Sequence, residues 1–109
     1  MRIVVIGAGA LGASLGARMA VSGHAVTLVD RWPEHVAAIA ERGLQALGVP
    51  SPVEIRLPAA LPDAAPEGQD LALIAVDANG TAEAAAIAAR ALAPEGCALT
   101  LQNGIGNVE

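Results

Sequence analysis

The feature that most narrows what this chain can fold into is a glycine pattern near its start. Gly7-Ala8-Gly9-Ala10-Leu11-Gly12 reads GxGxxG and follows at once on Ile3, Val4, Val5 and Ile6. A short β-branched run, apolar at every position, belongs to a strand buried on both faces in the middle of a parallel sheet. From Ala10 to Ser22 the pattern becomes helical, with Leu11 and Leu15 four apart and Gly12, Gly16 and Ala20 forming a stripe of very small residues. In this setting Gly7 permits a tight turn, Gly9 lets backbone approach a pyrophosphate, and Gly12 lets helix and strand pack closely. The free N–H groups at the helix start then face an anion.

The rest of the chain repeats the alternation. Gly23 predicts a left-handed helix stop, and Ala25 to Val29 supply a second apolar strand ending at Asp30. Pro33 opens another helix, with Glu34 near its positive end, Val36 and Ile39 on one face, and Gly43 as its stop. From Gly48 to Asp70 the prolines Pro50, Pro52, Pro58, Pro62 and Pro66 exclude long helices, while Val53, Ile55 and Leu57 alternate as one short strand would. Leu71 to Val76 reads as a further buried strand. Asn79 or Thr81 caps a helix running to Ala93, which Pro94 and Gly96 end before a strand from Ala98 to Leu101. The order predicts a doubly wound α/β sheet. No internal repeat or domain boundary is evident, so residues 1–109 read as one domain, cut short at its C-terminal end just after a strand and a glycine-containing loop.

Composition removes several function classes. Lys+Arg 6 against Asp+Glu 11 gives −5, and 54% of residues are hydrophobic, which disfavours disorder and a basic nucleic-acid-binding surface. Every basic residue is arginine (Arg2, Arg18, Arg31, Arg42, Arg56, Arg90), so this chain holds no lysine to act as proton donor, Schiff-base amine or P-loop cation. The single cysteine, Cys97, lies in an apolar run and is expected to be a buried, inert thiol. His24 and His35 lie far from it without zinc-site spacing, and no metal is expected. Arg2 and the apolar stretch after it imitate a secretory signal, but Gly7, Gly9, Gly12 and Gly16 interrupt the run. No stretch is long enough to span a bilayer, and a cytoplasmic location is expected.

Asp30 falls close to the ~20 residues past the glycine motif at which an acid reaches the adenosine ribose, which points to NAD. Arg31 follows at once, and its guanidinium suits a 2′-phosphate, which points to NADP. Trp32 either covers an adenine or staples the next helix, and the staple is preferred. His24 is read as a turn residue at the amino end of its strand, away from the ligand. Asn103 and Gly104 follow a strand at its carboxyl end, where ligands bind in open parallel sheets, although Asn-Gly is also an ordinary turn.

GAGALG at the start, GHAVTLVDR over 23–31, DLALIAVDANGT over 70–81 and LQNGIGNVE over 101–109 together resemble the N-terminal half of the ketopantoate reductase (2-dehydropantoate 2-reductase) family. The resemblance implies a Rossmann-like, doubly wound, mostly parallel sheet with helices on both faces, without the family's helical C-terminal domain. It implies that Gly7, Ala8, Gly9, Ala10, Leu11 and Gly12 hold the pyrophosphate of NADPH and that Arg31 contacts the 2′-phosphate. Asn103 would touch both the nicotinamide side and the substrate. The implied reaction is hydride transfer to the ketone of 2-dehydropantoate, giving pantoate for pantothenate synthesis. The sequence departs from the family at Asp77, where a lysine is usual, and in lacking the C-terminal domain that supplies the proton-donating lysine.

The expectation is therefore a cofactor-binding half that takes NADP, or NAD through Asp30, and holds a 2-oxo acid substrate. Its partner is a helical C-terminal domain or a second copy, with no nucleic acid and no membrane, and the chain alone does not turn over. A related oxidoreductase for another 2-oxo acid, or a non-catalytic dinucleotide-binding module, are the alternatives.

Overall fold

The computed structural model describes residues 1–7, 9–42, 44–45, 54–55, 57–76 and 80–100. In chain order these form β1 (Arg2–Ile6), α1 (Ala10–Val21), β2 (Ala25–Val29), α2 (Pro33–Arg42), β3 (Leu44–Gln45), β4 (Glu54–Ile55), β5 (Ala59–Ala60), β6 (Gln69–Ile74), α3 (Thr81–Ala91) and β7 (Leu92–Thr100). A short 3₁₀ turn, Pro62–Ala64, follows β5. Five strands make one sheet in the order β5-β2-β1-β6-β7, and all four pairings are parallel.

The unbroken apolar run of β1 is explained by its two faces. Val4 and Ile6 pack with Ala72 and Ile74 of β6 under Ala84, Ile87, Ala88 and Ala91 of α3. Ile3 and Val5 point the other way and join Val26, Leu28, Leu73 and Ile39 of α2, with Met19 and Ala20 of α1 against them. Helices α1 and α2 thus cover one face and α3 the other. The connection changes faces between β1 and β6, and in open α/β sheets such a reversal opens a crevice at the carboxyl ends of the strands.

Local signals set most boundaries. Gly23 has φ +99°, its N–H donates to the Ala20 carbonyl at 3.0 Å, and the His24 N–H donates to that of Met19 at 3.2 Å. That pair of bonds is the Schellman stop, which satisfies carbonyls the helix leaves free. Gly16 is buried where a Cβ would lie 2.8 Å from Leu28 Cδ2, so α1 rests close on β2.

Four expectations need correction. Thr81 is the first helical residue of α3 and not its cap; Gly80 holds that place, with no side-chain capping bond, and Asn79 lies outside the described residues. Helix α3 stops at Ala91, not Ala93, because Leu92 is already extended (φ −74°, ψ 139°). The following strand therefore begins at Leu92, not Ala98, and Pro94 and Gly96, expected to end the helix, instead lie inside it, where its register jumps from Gln69↔Leu92 to Leu71↔Cys97. Among the described residues of the proline-rich stretch, two short β segments precede β6 instead of one. Glu54–Ile55 pairs antiparallel with Leu44–Gln45, and Ala59–Ala60 becomes the outer strand beside β2. Pro58 is tolerated there because only its carbonyl is needed, accepting the Leu28 N–H at 2.9 Å. Finally, Cys97 is exposed, not buried, because it sits on the outermost strand of the sheet.

Candidate functional site

At the carboxyl ends of β1, β2 and β6 lies a cavity of about 400 Å³, within the range of small-molecule sites. Its walls come from Gly7 and Gly9, from Asp30, Arg31, Trp32 and His35, and from Ala75, Val76 and the start of α3. The three glycines of the first corner have different jobs. Gly7 has φ +104°, its N–H donates to the Val29 carbonyl at 2.7 Å, and a Cβ there would lie 2.6 Å from the Ala75 carbonyl oxygen. Gly12 is buried so close to the Gly7 carbonyl that any side chain would collide with it. Gly9 meets nothing: a Cβ would have no neighbour within 4 Å.

Gly9 is also the N-cap of α1, with no side-chain capping bond and no acidic residue in the first turn of the helix. The first N–H groups of a helix have no partner within it, and its N-terminus carries partial positive charge. A corner that is tight at Gly7 and Gly12 and open at Gly9 thus fits a group bearing phosphates. Ala10 and Leu11 form the first turn of α1 behind it, while Ala8 lies outside the described residues.

The second wall is organised by Asp30. Its backbone N–H donates to the Ala60 carbonyl at 3.1 Å, fixing the end of β2 against β5. Carboxylate Oδ1 accepts the Arg31 N–H at 2.8 Å, and Oδ2 is paired with His35 Nδ1 at 2.7 Å. An ionised carboxylate only accepts, so Nδ1 is the donor. The Asp30 side chain is 13% exposed, whereas His35 is 42% exposed. The Arg31 guanidinium carbon lies 5.8 Å from the centre of the Trp32 ring, within the reach of a cation–π contact.

Trp32 does not act as the expected staple. The residue is 59% exposed and lines the cavity, while its carbonyl accepts the Val36 N–H at 3.0 Å as α2 begins. A staple would sit one residue earlier, before the cap. His24 stands at the amino end of β2, remote from the cavity, as its place in the sequence implied. Asn103 and Asp77 lie outside the described residues.

Sequence reasoning missed His35, taking it only as a residue too distant from Cys97 for zinc. The signal was available: a helix opened by Pro33 puts His35 in its first turn, from which a side chain reaches back toward the strand end. Glu83, in the first turn of α3, also lines the cavity, and nothing in its spacing marked it. Among the described residues, no cluster of His, Cys, Asp and Glu suits a metal ion, and no helix is long and apolar enough to cross a membrane.

Comparison with known proteins agrees with this geometry. The family described as Ketopantoate reductase PanE/ApbA matches residues 3–109. A 2-dehydropantoate 2-reductase of Pyrococcus abyssi is 37% identical over 108 residues, which are 98% of this chain and 34% of that protein. The crystal structure of a PanE/ApbA family ketopantoate reductase from Ralstonia eutropha JMP134 superposes with a TM-score of 0.83 at 37% identity, covering 98% of this chain and 36% of that one. A ternary structure of D-mandelate dehydrogenase with NADH and anilino(oxo)acetate gives 0.84 at 34% identity, over 99% of this chain and 35% of that one. The chain spans about a third of the length of the curated relatives it matches. With that match running over nearly every residue, and with the fold superposing at a TM-score of 0.83, the chain belongs to the PanE/ApbA ketopantoate reductase family.

Proposed function

We propose that this chain is the cofactor-binding half of an NADPH-dependent reductase that reduces the ketone of 2-dehydropantoate to pantoate. The observation that carries the reading is the sorting of the glycine corner, closed to side chains at Gly7 and Gly12 and open at Gly9. Backbone from Gly7 through Ala8, Gly9, Ala10 and Leu11 to Gly12 would cradle the pyrophosphate. Arg31, on the rim with its guanidinium over Trp32, would meet the 2′-phosphate. Asn103 would hold the nicotinamide side and the substrate. Bound there, the coenzyme supplies hydride, the protein supplying position and electrostatics.

Reduction of a ketone leaves charge on its oxygen, which a proton donor or fixed dipoles must meet. This chain contains no lysine, and Asn103 is its candidate for a dipole at that oxygen. The helical portion of the whole protein is therefore assigned the proton, and the 109-residue chain alone should bind coenzyme without turnover. Steady NADPH oxidation by the purified chain in the presence of 2-dehydropantoate would refute that division of labour.

A second reading is favoured by Asp30, whose carboxylate stands in the cavity wall at the end of β2, and by Asp77 in place of the family's usual lysine. In that reading the coenzyme is NADH and the substrate another 2-oxo acid, a reading supported by the similar D-mandelate dehydrogenase, whose ternary structure holds NADH and anilino(oxo)acetate. Titration of both coenzymes against wild type and Arg31→Ala decides. Loss of NADPH affinity alone supports the phosphate contact, and equal loss for both coenzymes removes it. A 2-oxo acid panel with the full-length protein separates the substrates.

A further inference from the structure

Asp30 poses a problem for a site that takes a 2′-phosphate. A carboxylate at the end of β2 repels a phosphate at close range, and that repulsion grows as surrounding water is displaced. This Asp30, however, is not a free carboxylate. Both oxygens are engaged by the segment that opens α2, Oδ1 by the Arg31 N–H at 2.8 Å and Oδ2 by His35 Nδ1 at 2.7 Å, and its side chain is mostly buried. His35 is more exposed than its partner and itself lines the cavity, as do Arg31 and Trp32.

We propose that His35 is a positioning residue for coenzyme choice: by donating a hydrogen bond to Asp30 it holds that carboxylate back and tempers its charge, so that Arg31 can receive a 2′-phosphate beside it. The inference rests on the dinucleotide reading of the cavity and deepens it. The geometry supports it in two ways. A charge-assisted bond of 2.7 Å fixes the direction of the Asp30 carboxylate. The donor also comes from the first turn of α2, so the same short segment, residues 30–35, carries the acid, its restraint and the guanidinium. Without His35, the Asp30 carboxylate loses a hydrogen-bond donor that offsets its charge and is free to turn toward the ribose. A 2′-hydroxyl welcomes that acceptor and a 2′-phosphate does not.

The test is a direct binding titration of NADPH and of NADH, by calorimetry, with the full-length protein. Wild type, His35→Ala, His35→Gln, Asp30→Asn and the Asp30→Asn/His35→Ala double variant are compared, with circular dichroism confirming that each is folded. His35→Ala should raise the ratio of Kd for NADPH to Kd for NADH about fivefold or more, the scale of one uncompensated charge near a partly exposed phosphate. Gln can still donate to Asp30, so His35→Gln should keep most of the wild-type ratio. In the Asp30→Asn background, removal of His35 should leave the ratio unchanged, because the charge that it tempers is gone.

An unchanged ratio in His35→Ala, or an equal change in the Asp30→Asn background, overturns the proposal while leaving the dinucleotide site intact. If His35→Ala fails to fold, the ratios of His35→Gln and Asp30→Asn still decide: a fall in NADPH preference with Gln, or no gain with Asn, overturns it. Failure of wild type to bind either coenzyme overturns the dinucleotide reading and this proposal together.

Discussion

Three glycines in one hexapeptide look alike in sequence, and their surroundings make them unlike. At Gly12 a methyl group would strike the Gly7 carbonyl, and at Gly7 a positive φ adds strain to a 2.6 Å approach to the Ala75 carbonyl oxygen. Gly12→Ala should therefore cost about 2–3 kcal/mol of stability, the upper range for forced overpacking against rigid backbone. Gly9 has φ −72° and ψ −170°, which any residue adopts, and open space around its Cβ position. Gly9→Ala should then lose less than about 1 kcal/mol, the scale of a poorer N-cap, yet weaken coenzyme binding tenfold or more by filling the phosphate approach. Urea unfolding with coenzyme titration on the two variants checks both halves. Equal destabilisation of both, or undiminished binding by Gly9→Ala, would contradict this division.

The helix that begins at that corner is held to the sheet by the stripe of small residues behind it. Gly16 would bring a Cβ within 2.8 Å of Leu28 Cδ2 and 3.6 Å of Val26 Cγ1, and Leu28 is fully buried. Gly16→Ala gains about 1 kcal/mol of helix propensity but incurs about 1–3 kcal/mol of overpacking, so a net loss near 1 kcal/mol is expected. Leu28→Ala alone should cost about 2–5 kcal/mol, the usual range for emptying a leucine site. Together they should cost at least about 1 kcal/mol less than the two losses added, because the new methyl occupies part of the vacated space. Simple additivity in a double-mutant cycle would show that α1 does not press on β2 at this point. These contacts were legible in outline: the Gly12, Gly16, Ala20 spacing announced a close helix–strand approach, and the Gly23 stop and Pro33 start fell where expected. The short segments between α2 and β6 were less legible, because two-residue strands such as Leu44–Gln45 and Ala59–Ala60 carry no period of their own and are set by their neighbours. His35 escaped for a related reason, since its partner Asp30 belongs to the strand end before the helix and no pattern within α2 announces the pair.

The assembled sheet treats its two edges differently, and the order of its strands is what exposed the misjudged cysteine. Alternation of strands and helices was enough to predict a parallel, doubly wound sheet, but burial of Cys97 depends on which strand lies outermost, and that follows from topology, not from an apolar run. The β5 edge is two residues long and bracketed by Pro58 and Pro62, which offer no N–H to a passing strand. Among the described residues nothing covers the β7 edge: Cys97, Ala98, Leu99 and Thr100 are all exposed, Leu99 by 51%. Exposed apolar side chains on a strand with open pairing groups template association with another chain. The purified 109-residue chain should therefore self-associate as its concentration rises, and Leu99→Lys, which places a charge on that edge, should shift it toward monomer without altering its fold. Sedimentation velocity over a wide concentration range, with circular dichroism as the control, reads both effects. A wild-type chain that stays monomeric throughout, or association that Leu99→Lys leaves untouched, would mean that this edge is not the adhesive surface.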